Sequence, residues 1–172
     1  MSQQSSPGIR YMSSIQPAEF RHAMRSLASG VAVVTTETAR RGVTVSSVTS
    51  ICMEPPYLVV GINARSEAHD EIIANGSFGV SVLRSDQEDL ALRFGGRDGA
   101  KGVHRFDTAP WYQGVLDVPL VPTAFCALEC VLHDHKVLGT HTIVIGRIIA
   151  TIESDGSPLI NFRGALRTLV LD

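Results

Sequence analysis

The chain has 172 residues, of which 44% are hydrophobic and 19% are charged, and its formal net charge is −2. This length suits one domain with a substantial core and is too short for two ordinary domains. The composition argues against extensive disorder, and the charge argues against a broad basic surface for nucleic acid. No run of about 18 apolar residues occurs, so no membrane span is expected.

The N-terminal segment and the cysteines indicate the domain boundary and the compartment. Residues 1–14 are polar and lack the apolar core of a signal peptide, so we expect a flexible arm before a single domain over residues 15–172. Cys52, Cys126 and Cys130 are an odd number without disulfide-scaffold spacing. On one strand, Cys126 and Cys130 would lie about 13 Å apart, too far to bond. A reduced, cytoplasmic setting is therefore expected.

Periodicity and turn signals predict the elements in chain order. Helices are predicted over residues 17–28, 67–75 and 86–94, and strands over residues 31–37, 43–51, 57–63, 78–83, 124–137, 141–153 and 159–162. Asp155-Gly156 is typical of a hairpin turn between the last two strands. Many strands with inserted helices predict a mainly β fold with peripheral α-helices, in which an antiparallel sheet closes into a barrel.

In the strand predicted over residues 43–51, the apolar side chains change from one face of the strand to the other. Val43, Val45 and Ser47 share one strand face, whereas Val48 belongs to the other. Because successive side chains of a regular strand point to opposite faces, this change requires the strand to bend, bulge or end near Ser46-Ser47. The bend would expose backbone groups among hydroxyl side chains, which suits a flat, phosphorylated ligand. An exposed strand with Ser and Thr on its solvated face remains the alternative.

Six segments, in this order, resemble the flavin reductase-like family. They are GVAVVTT (30–36), GVTVSSVTSI (42–51), PPYLVV (55–60), FGVSVL (78–83), ALEC (127–130) and GTHTIVIG (139–146). The resemblance covers roughly residues 17–169. The family comprises reductase components of two-component flavin-dependent monooxygenases, which are antiparallel split β-barrels that bind FMN.

The resemblance implies an NAD(P)H:flavin oxidoreductase. It would be a homodimer with FMN or FAD at the subunit interface, reduced by NADH or NADPH and supplying reduced flavin to a separate oxygenase. Thr35 and Thr36 would border the isoalloxazine ring. The ring edge and ribityl chain would meet Ser46, Ser47, Val48, Thr49 and Ser50. Asn63, Arg65 and Ser66 would hold the flavin phosphate, for which a guanidinium and a hydroxyl are suitable donors.

The resemblance also implies a catalytic histidine. His141 stands in Gly139-Thr140-His141, where many family members have Gly-Asp-His, and it would lie near the nicotinamide and flavin. Threonine cannot supply the charge of an aspartate to the imidazole. A histidine that makes a structural hydrogen bond at the start of a strand is the alternative.

Several other interpretations were weighed. His133 and His135 share a strand face, but no further ligand set accompanies them, so no metal site is predicted. The loop over residues 95–105 would hold the pyrophosphate of a dinucleotide or be an ordinary solvated loop. No Rossmann fingerprint follows a strand.

A flavin-binding module without turnover and a pyridoxamine-phosphate-oxidase-like flavoprotein are the alternative functions.

Overall fold

The computed structural model describes residues 13–37, 40–108 and 110–169. Within these ranges the helices are α1 (Pro17–Met24), α2 (Glu67–Asn75) and α3 (Glu88–Phe94), and a 3-10 helix covers Gly102–Phe106. The strands are β1 (Ser29–Gly30), β2 (Ala32–Thr35), β3 (Gly42–Val45), β4 (Val48–Met53), β5 (Pro56–Asn63), β6 (Ser77–Val82), β7 (Tyr112–Gln113), β8 (Pro119–Leu120), β9 (Cys126–Leu138), β10 (His141–Glu153), β11 (Leu159–Phe162) and β12 (Ala165–Thr168). Of the predicted N-terminal arm, residues 1–12 lie outside the described ranges. None of the helices in these ranges is long and apolar enough to cross a membrane.

Seven strands form one antiparallel sheet in the order β3-β2-β6-β9-β10-β5-β4. The mainly β fold with peripheral helices is therefore confirmed. The edge strands β3 and β4 are joined by Ser46 and Ser47 alone, so the sheet curls until its two edges meet at this bend. Complete closure is the part of the prediction that is wrong, because no ladder joins β3 to β4 in the described residues. The barrel is split at the bend.

Two apolar clusters lie on opposite faces of the sheet and share β2. Val33 points into the first cluster and Val34 into the second, which explains why β2 is buried on both faces. The first cluster contains Phe94 of α3 and Phe106 of the 3-10 helix, and the second contains Ile72 of α2. The clusters therefore hold α2, α3 and the 3-10 helix against the sheet.

The long hairpin of β9 and β10 determines where His141 lies. Its two-residue turn is Gly139-Thr140, and Gly139 has a φ of 60°, which glycine adopts without steric cost. His141 follows as the first residue of β10 and pairs with Asn63, the last residue of β5. Farther along β10, a Cβ on Gly146 would lie 2.4 Å from Phe78 Cζ, so only glycine fits there.

Three of the departures from the predicted elements concern the bend, the first helix and the pairing of β11. The run over residues 43–51 is divided, since β3 ends at Val45 and β4 begins at Val48, which confirms the bend predicted from parity. The first helix ends at Met24 rather than at residue 28. The predicted hairpin at Asp155-Gly156 is wrong because both edges of β10 are already paired, to β5 and β9. β11 pairs with β1 and β12 instead.

Candidate functional site

Three adjoining clefts form one groove beside the bend. The α2 cleft has a volume of about 590 Å³ and is lined by Val43, Thr44, Asn63, Arg65, Ser66, Glu67, Phe94, Gly95, Lys101 and Arg105. The β12 cleft, about 900 Å³, includes Thr44, Ser46, Glu88, Gly95, Arg97, Asn161, Gly164 and Arg167. The α1 cleft, about 330 Å³, includes Phe20, Arg21, Met24, Arg25, Ser46, Asn161, Arg163 and Gly164. Neighbouring clefts share lining residues, so the groove is continuous.

Ser66 is one of the polar residues that line the α2 cleft. It precedes the first residue of α2 in an extended conformation, with φ −75° and ψ 142°. A serine at this position commonly accepts a hydrogen bond from the helix backbone, but the Ser66 side chain makes no capping bond. Its Oγ is buried and has no partner among the described residues. The hydroxyl is therefore available to a ligand at a helix end that favours anions.

The neighbouring residues hold this helix end in place. Asn63 Oδ1 accepts a hydrogen bond of 2.9 Å from the Arg65 backbone N–H, and this turn leaves the Arg65 side chain exposed in the cleft. His69 Nε2 lies 2.9 Å from the hydroxyl of Thr142, which is buried in β10. The start of α2 and the start of β10 are thus fixed relative to each other.

The loop over residues 95–105 is held by two arginines that hydrogen-bond to backbone carbonyls. Arg105 donates to the carbonyls of Gly42 and Ala100, each at 3.0 Å. Arg93 donates to the carbonyl of Arg105 at 2.9 Å and pairs with Asp98 at 2.8 Å. The pKa of Asp98 is lowered, chiefly because its carboxylate accepts the Ala100 N–H. The loop is consequently ordered against β3, on one wall of the α2 cleft.

The bend residues divide between the groove and the sheet edge. Ser46 is exposed and lines the β12 cleft. The Ser47 hydroxyl donates to the Gly61 carbonyl at 2.7 Å and so joins the bend to β5. Val48, Thr49 and Ser50 lie on the edge strand β4, outside the lining of the three described clefts. Within one chain, only Ser46 of this set faces the groove.

Thr35 and Thr36 are buried, and both hydroxyls already have partners. Thr35 Oγ1 donates to the Pro119 carbonyl of β8. Thr36 Oγ1 accepts the Arg41 backbone N–H at 3.2 Å within the β2–β3 turn. In the described chain these two hydroxyls support the sheet, and they are not brought together with Ser66.

His141 lies at the same end of the sheet as the α2 cleft. Its Nδ1 is 2.9 Å from Thr140 Oγ1, and its ring is exposed. The Thr140 carbonyl accepts the Ala64 N–H at 3.0 Å, which ties the hairpin turn to the segment that leads into α2. The histidine is thus next to Asn63 in register, with a neutral hydrogen-bond partner rather than a carboxylate.

His133, one of the two histidines weighed as metal ligands, contacts an aromatic side chain. The His133 ring packs on Tyr57 with centroids 4.6 Å apart, and the Tyr57 hydroxyl is 3.3 Å from His133 Nδ1. In the part of the chain that the structure describes, no group of three or more His, Cys, Asp or Glu side chains is arranged to hold a metal ion.

Sequence reasoning did not show which distant residues meet in the groove wall. Thr44 and Gly95 meet between the first two clefts, and the Thr44 hydroxyl donates to the Ala91 carbonyl at 2.7 Å. Arg167 reaches the β12 cleft from a strand that periodicity did not indicate. These residues are far apart in the chain, so no local pattern could have grouped them.

An antiparallel split barrel with a cationic groove and an unpartnered hydroxyl at a helix start is typical of a protein that binds a phosphorylated ligand. Residues 24–170 match the family described as "Flavin reductase like domain". The chain belongs to this family.

Its relatives carry consistent names. The NADH-dependent flavin reductase of a Rhodococcus species is 33% identical over 91% of this chain and 89% of its own length. The 4-hydroxyphenylacetate 3-monooxygenase reductase component of Escherichia coli is 34% identical over 91% and 94%. The structure of BorF, the flavin reductase component of a bacterial two-component tryptophan halogenase, matches with a TM-score of 0.83 and 31% identity, covering 90% of this chain and 98% of BorF.

A further solved structure includes bound nucleotides. The NADH:FAD oxidoreductase SgcE6 of Streptomyces globisporus C-1027, in complex with NAD and FAD fragments, matches with a TM-score of 0.84 and 29% identity. The match covers 94% of this chain and 99% of SgcE6.

Proposed function

We propose that the protein is an NAD(P)H-dependent flavin reductase that transfers hydride from a nicotinamide to FMN or FAD. The observation that carries the proposal is the unpartnered Ser66 hydroxyl at the start of α2, beside Arg65 and Lys101. Hydroxyl, guanidinium and ammonium donors at a helix N-terminus suit a phosphate monoester. Family membership and the names of the relatives support the reductase activity.

The groove fits a flavin in one orientation. With the phosphate at Ser66, the ribityl chain would pass Thr44 and Gly95, and the ring would lie beside the bend at Ser46. Flavin and nicotinamide supply the hydride-transfer chemistry when bound, so the protein positions them and excludes water. The adjoining β12 cleft, about 900 Å³, leaves room for a second nucleotide.

His141 would position the nicotinamide rather than transfer a proton. Its ring is exposed at the end of β10, next to Asn63 in register, which places it near the α2 cleft. Thr140 Oγ1 lies 2.9 Å from Nδ1 and brings a hydrogen-bonding group without a charge. The imidazole therefore acts through shape and hydrogen bonding.

The protein would act as a cytoplasmic homodimer that supplies reduced flavin to a separate oxygenase. Ile51 and Met53 are exposed near the end of β4, at 56% and 86%, and Val137 and Leu138 are exposed at the tip of β9, at 61% and 50%, at the opposite end of the sheet. Exposed apolar side chains of this size favour burial against another protein. The oxygenase partner follows from relatives named as reductase components, and the three free cysteines suit a reducing compartment.

The test is NADH consumption by the purified protein with FMN, FAD or no flavin. We expect NADH absorbance to fall only when a flavin is added. Tight flavin binding without NADH consumption would instead identify a flavin-binding module. The same assay with NADPH determines the donor, and light scattering at assay concentration determines whether the protein is a dimer.

A further inference from the structure

Glu67 is the one acidic residue in the described lining of the α2 cleft. It directly follows Ser66 and is the first residue of α2, so its carboxylate shares the cleft with the donors proposed for the flavin phosphate. A carboxylate close to a phosphate opposes binding because like charges repel each other. The α2 cleft therefore contains one group that works against the ligand proposed for it.

Arg41 compensates the charge of Glu67. Arg41 Nε lies 3.6 Å from Glu67 Oε2, and the two side chains are 31% and 51% exposed. An ion pair with this exposure contributes little to the stability of a fold. Its consequence for the cleft is electrostatic, because the guanidinium offsets the repulsion that the carboxylate would exert on a phosphate.

The fold holds Arg41 at this position. The Thr36 backbone N–H donates to the Arg41 carbonyl at 2.9 Å, and the Arg41 N–H donates to Thr36 Oγ1 at 3.2 Å. Gly102 lies against the ion pair, since a Cβ added to it would be 3.4 Å from Arg41 Nη1 and 4.0 Å from Glu67 Oε2. The β2–β3 turn, the start of α2 and the loop over residues 95–105 thus meet at this pair.

We propose that Arg41 and Glu67 are a specificity-determining pair, in which Arg41 neutralises Glu67 and so lets the α2 cleft accept the phosphate monoester of FMN. A phosphate monoester carries about 1.5 to 2 negative charges at pH 7, against about one for each phosphate of FAD. An uncompensated Glu67 would therefore repel FMN more strongly than FAD, and it would not repel riboflavin, which has no phosphate. The inference rests on the proposed reductase function, in which the α2 cleft binds the flavin phosphate.

The experiment measures the Kd values of FMN, FAD and riboflavin by fluorescence titration for the wild type, R41Q, E67Q and R41Q/E67Q. R41K retains the charge at residue 41. The matched controls R147Q and D89N remove an exposed arginine of β10 and an exposed aspartate in the first turn of α3, both outside the lining of the three described clefts. Thermal unfolding checks that each variant is folded.

We expect R41Q to weaken FMN by about three- to tenfold and FAD by less, with riboflavin unchanged, since a like charge near a solvated phosphate acts on this scale. E67Q should bind FMN at least as tightly as the wild type, and R41K should match the wild type. R41Q/E67Q should restore the Kd for FMN. Any structural effect of losing Arg41 is present in both R41Q variants, so this restoration isolates the charge of Glu67.

An unchanged Kd for FMN in R41Q would overturn the proposal. So would a double variant as weak as R41Q, or equal weakening of FMN, FAD and riboflavin, because neither result depends on the charge of Glu67. A change of the same size in R147Q or D89N would reduce the effect to net charge and would also overturn it. The titrations need no turnover, so a wild type that binds FMN without oxidising NADH would refute the reductase function and leave this comparison decisive.

Discussion

Removing the Ser66 hydroxyl should weaken the binding of FMN while leaving the fold at least as stable. Ser66 Oγ is buried and unpartnered among the described residues, at the start of α2. In the complex it would donate to the phosphate, and hydrogen bonds to charged groups contribute about 1.5–3 kcal/mol. S66A should therefore raise the Kd for FMN by about 10- to 100-fold. Riboflavin lacks the phosphate, so its Kd should change little.

The effect on stability has the opposite sign to that of an ordinary buried serine. A buried polar atom without a partner costs free energy, so its removal should leave the free energy of unfolding of the flavin-free protein unchanged or raise it slightly. Ser81 provides the matched control, because its buried Oγ accepts the Val121 backbone N–H at 3.1 Å. S81A orphans that N–H and should lower stability by about 1–3 kcal/mol, with the Kd for FMN retained.

Fluorescence titration with FMN and riboflavin, combined with urea unfolding of both variants, tests this reasoning. If S66A weakened riboflavin as much as FMN, the hydroxyl would contact the ring or ribityl chain rather than the phosphate. If S66A left FMN binding intact, the α2 cleft would not be the phosphate site.

The remaining predictions concern the nicotinamide, the hairpin and the cysteines. H141A should raise the KM for NADH or slow flavin reduction with an unchanged Kd for flavin, and full activity in steady-state assays would remove His141 from the site. G146A should lower the free energy of unfolding by about 1–3 kcal/mol, measured in urea, because its Cβ would overlap the buried Phe78 ring. Burial raises the pKa of Cys130 to about 12, so its thiol stays protonated and unreactive at pH 8–9. Exposed Cys52 should react first with a thiol reagent, and rapid native labelling of Cys130 would contradict the structure.

Local patterns predicted the parts of the fold that depend on neighbouring residues. The change of face at Val48 predicted a bend, a bulge or a strand end near Ser46-Ser47, because side chains alternate along a strand, and the structure has β3 end at Val45 and β4 begin at Val48. The helix over residues 67–75 and the strand over residues 141–153 were predicted with the bounds they have. The family resemblance, rather than periodicity, led to the split barrel.

What the sequence could not show depends on contacts between distant segments. No local pattern shows that the Thr35 hydroxyl donates to the carbonyl of Pro119, 84 residues away. β12 is too short for a periodic signal, so no local pattern placed Arg167 in the same cleft as Ser46 of the bend. The hairpin expected at Asp155-Gly156 failed because pairing partners are decided by the whole sheet.

The most direct test of the central claim is anaerobic mixing of the protein with FMN and a limiting amount of NADH. Flavin and NADH absorbance are followed together, for the wild type and for S66A. We expect one flavin to be reduced for each NADH oxidised, and S66A to require a higher FMN concentration for the same rate. Bound flavin that stays oxidised in the presence of NADH or NADPH would contradict the account.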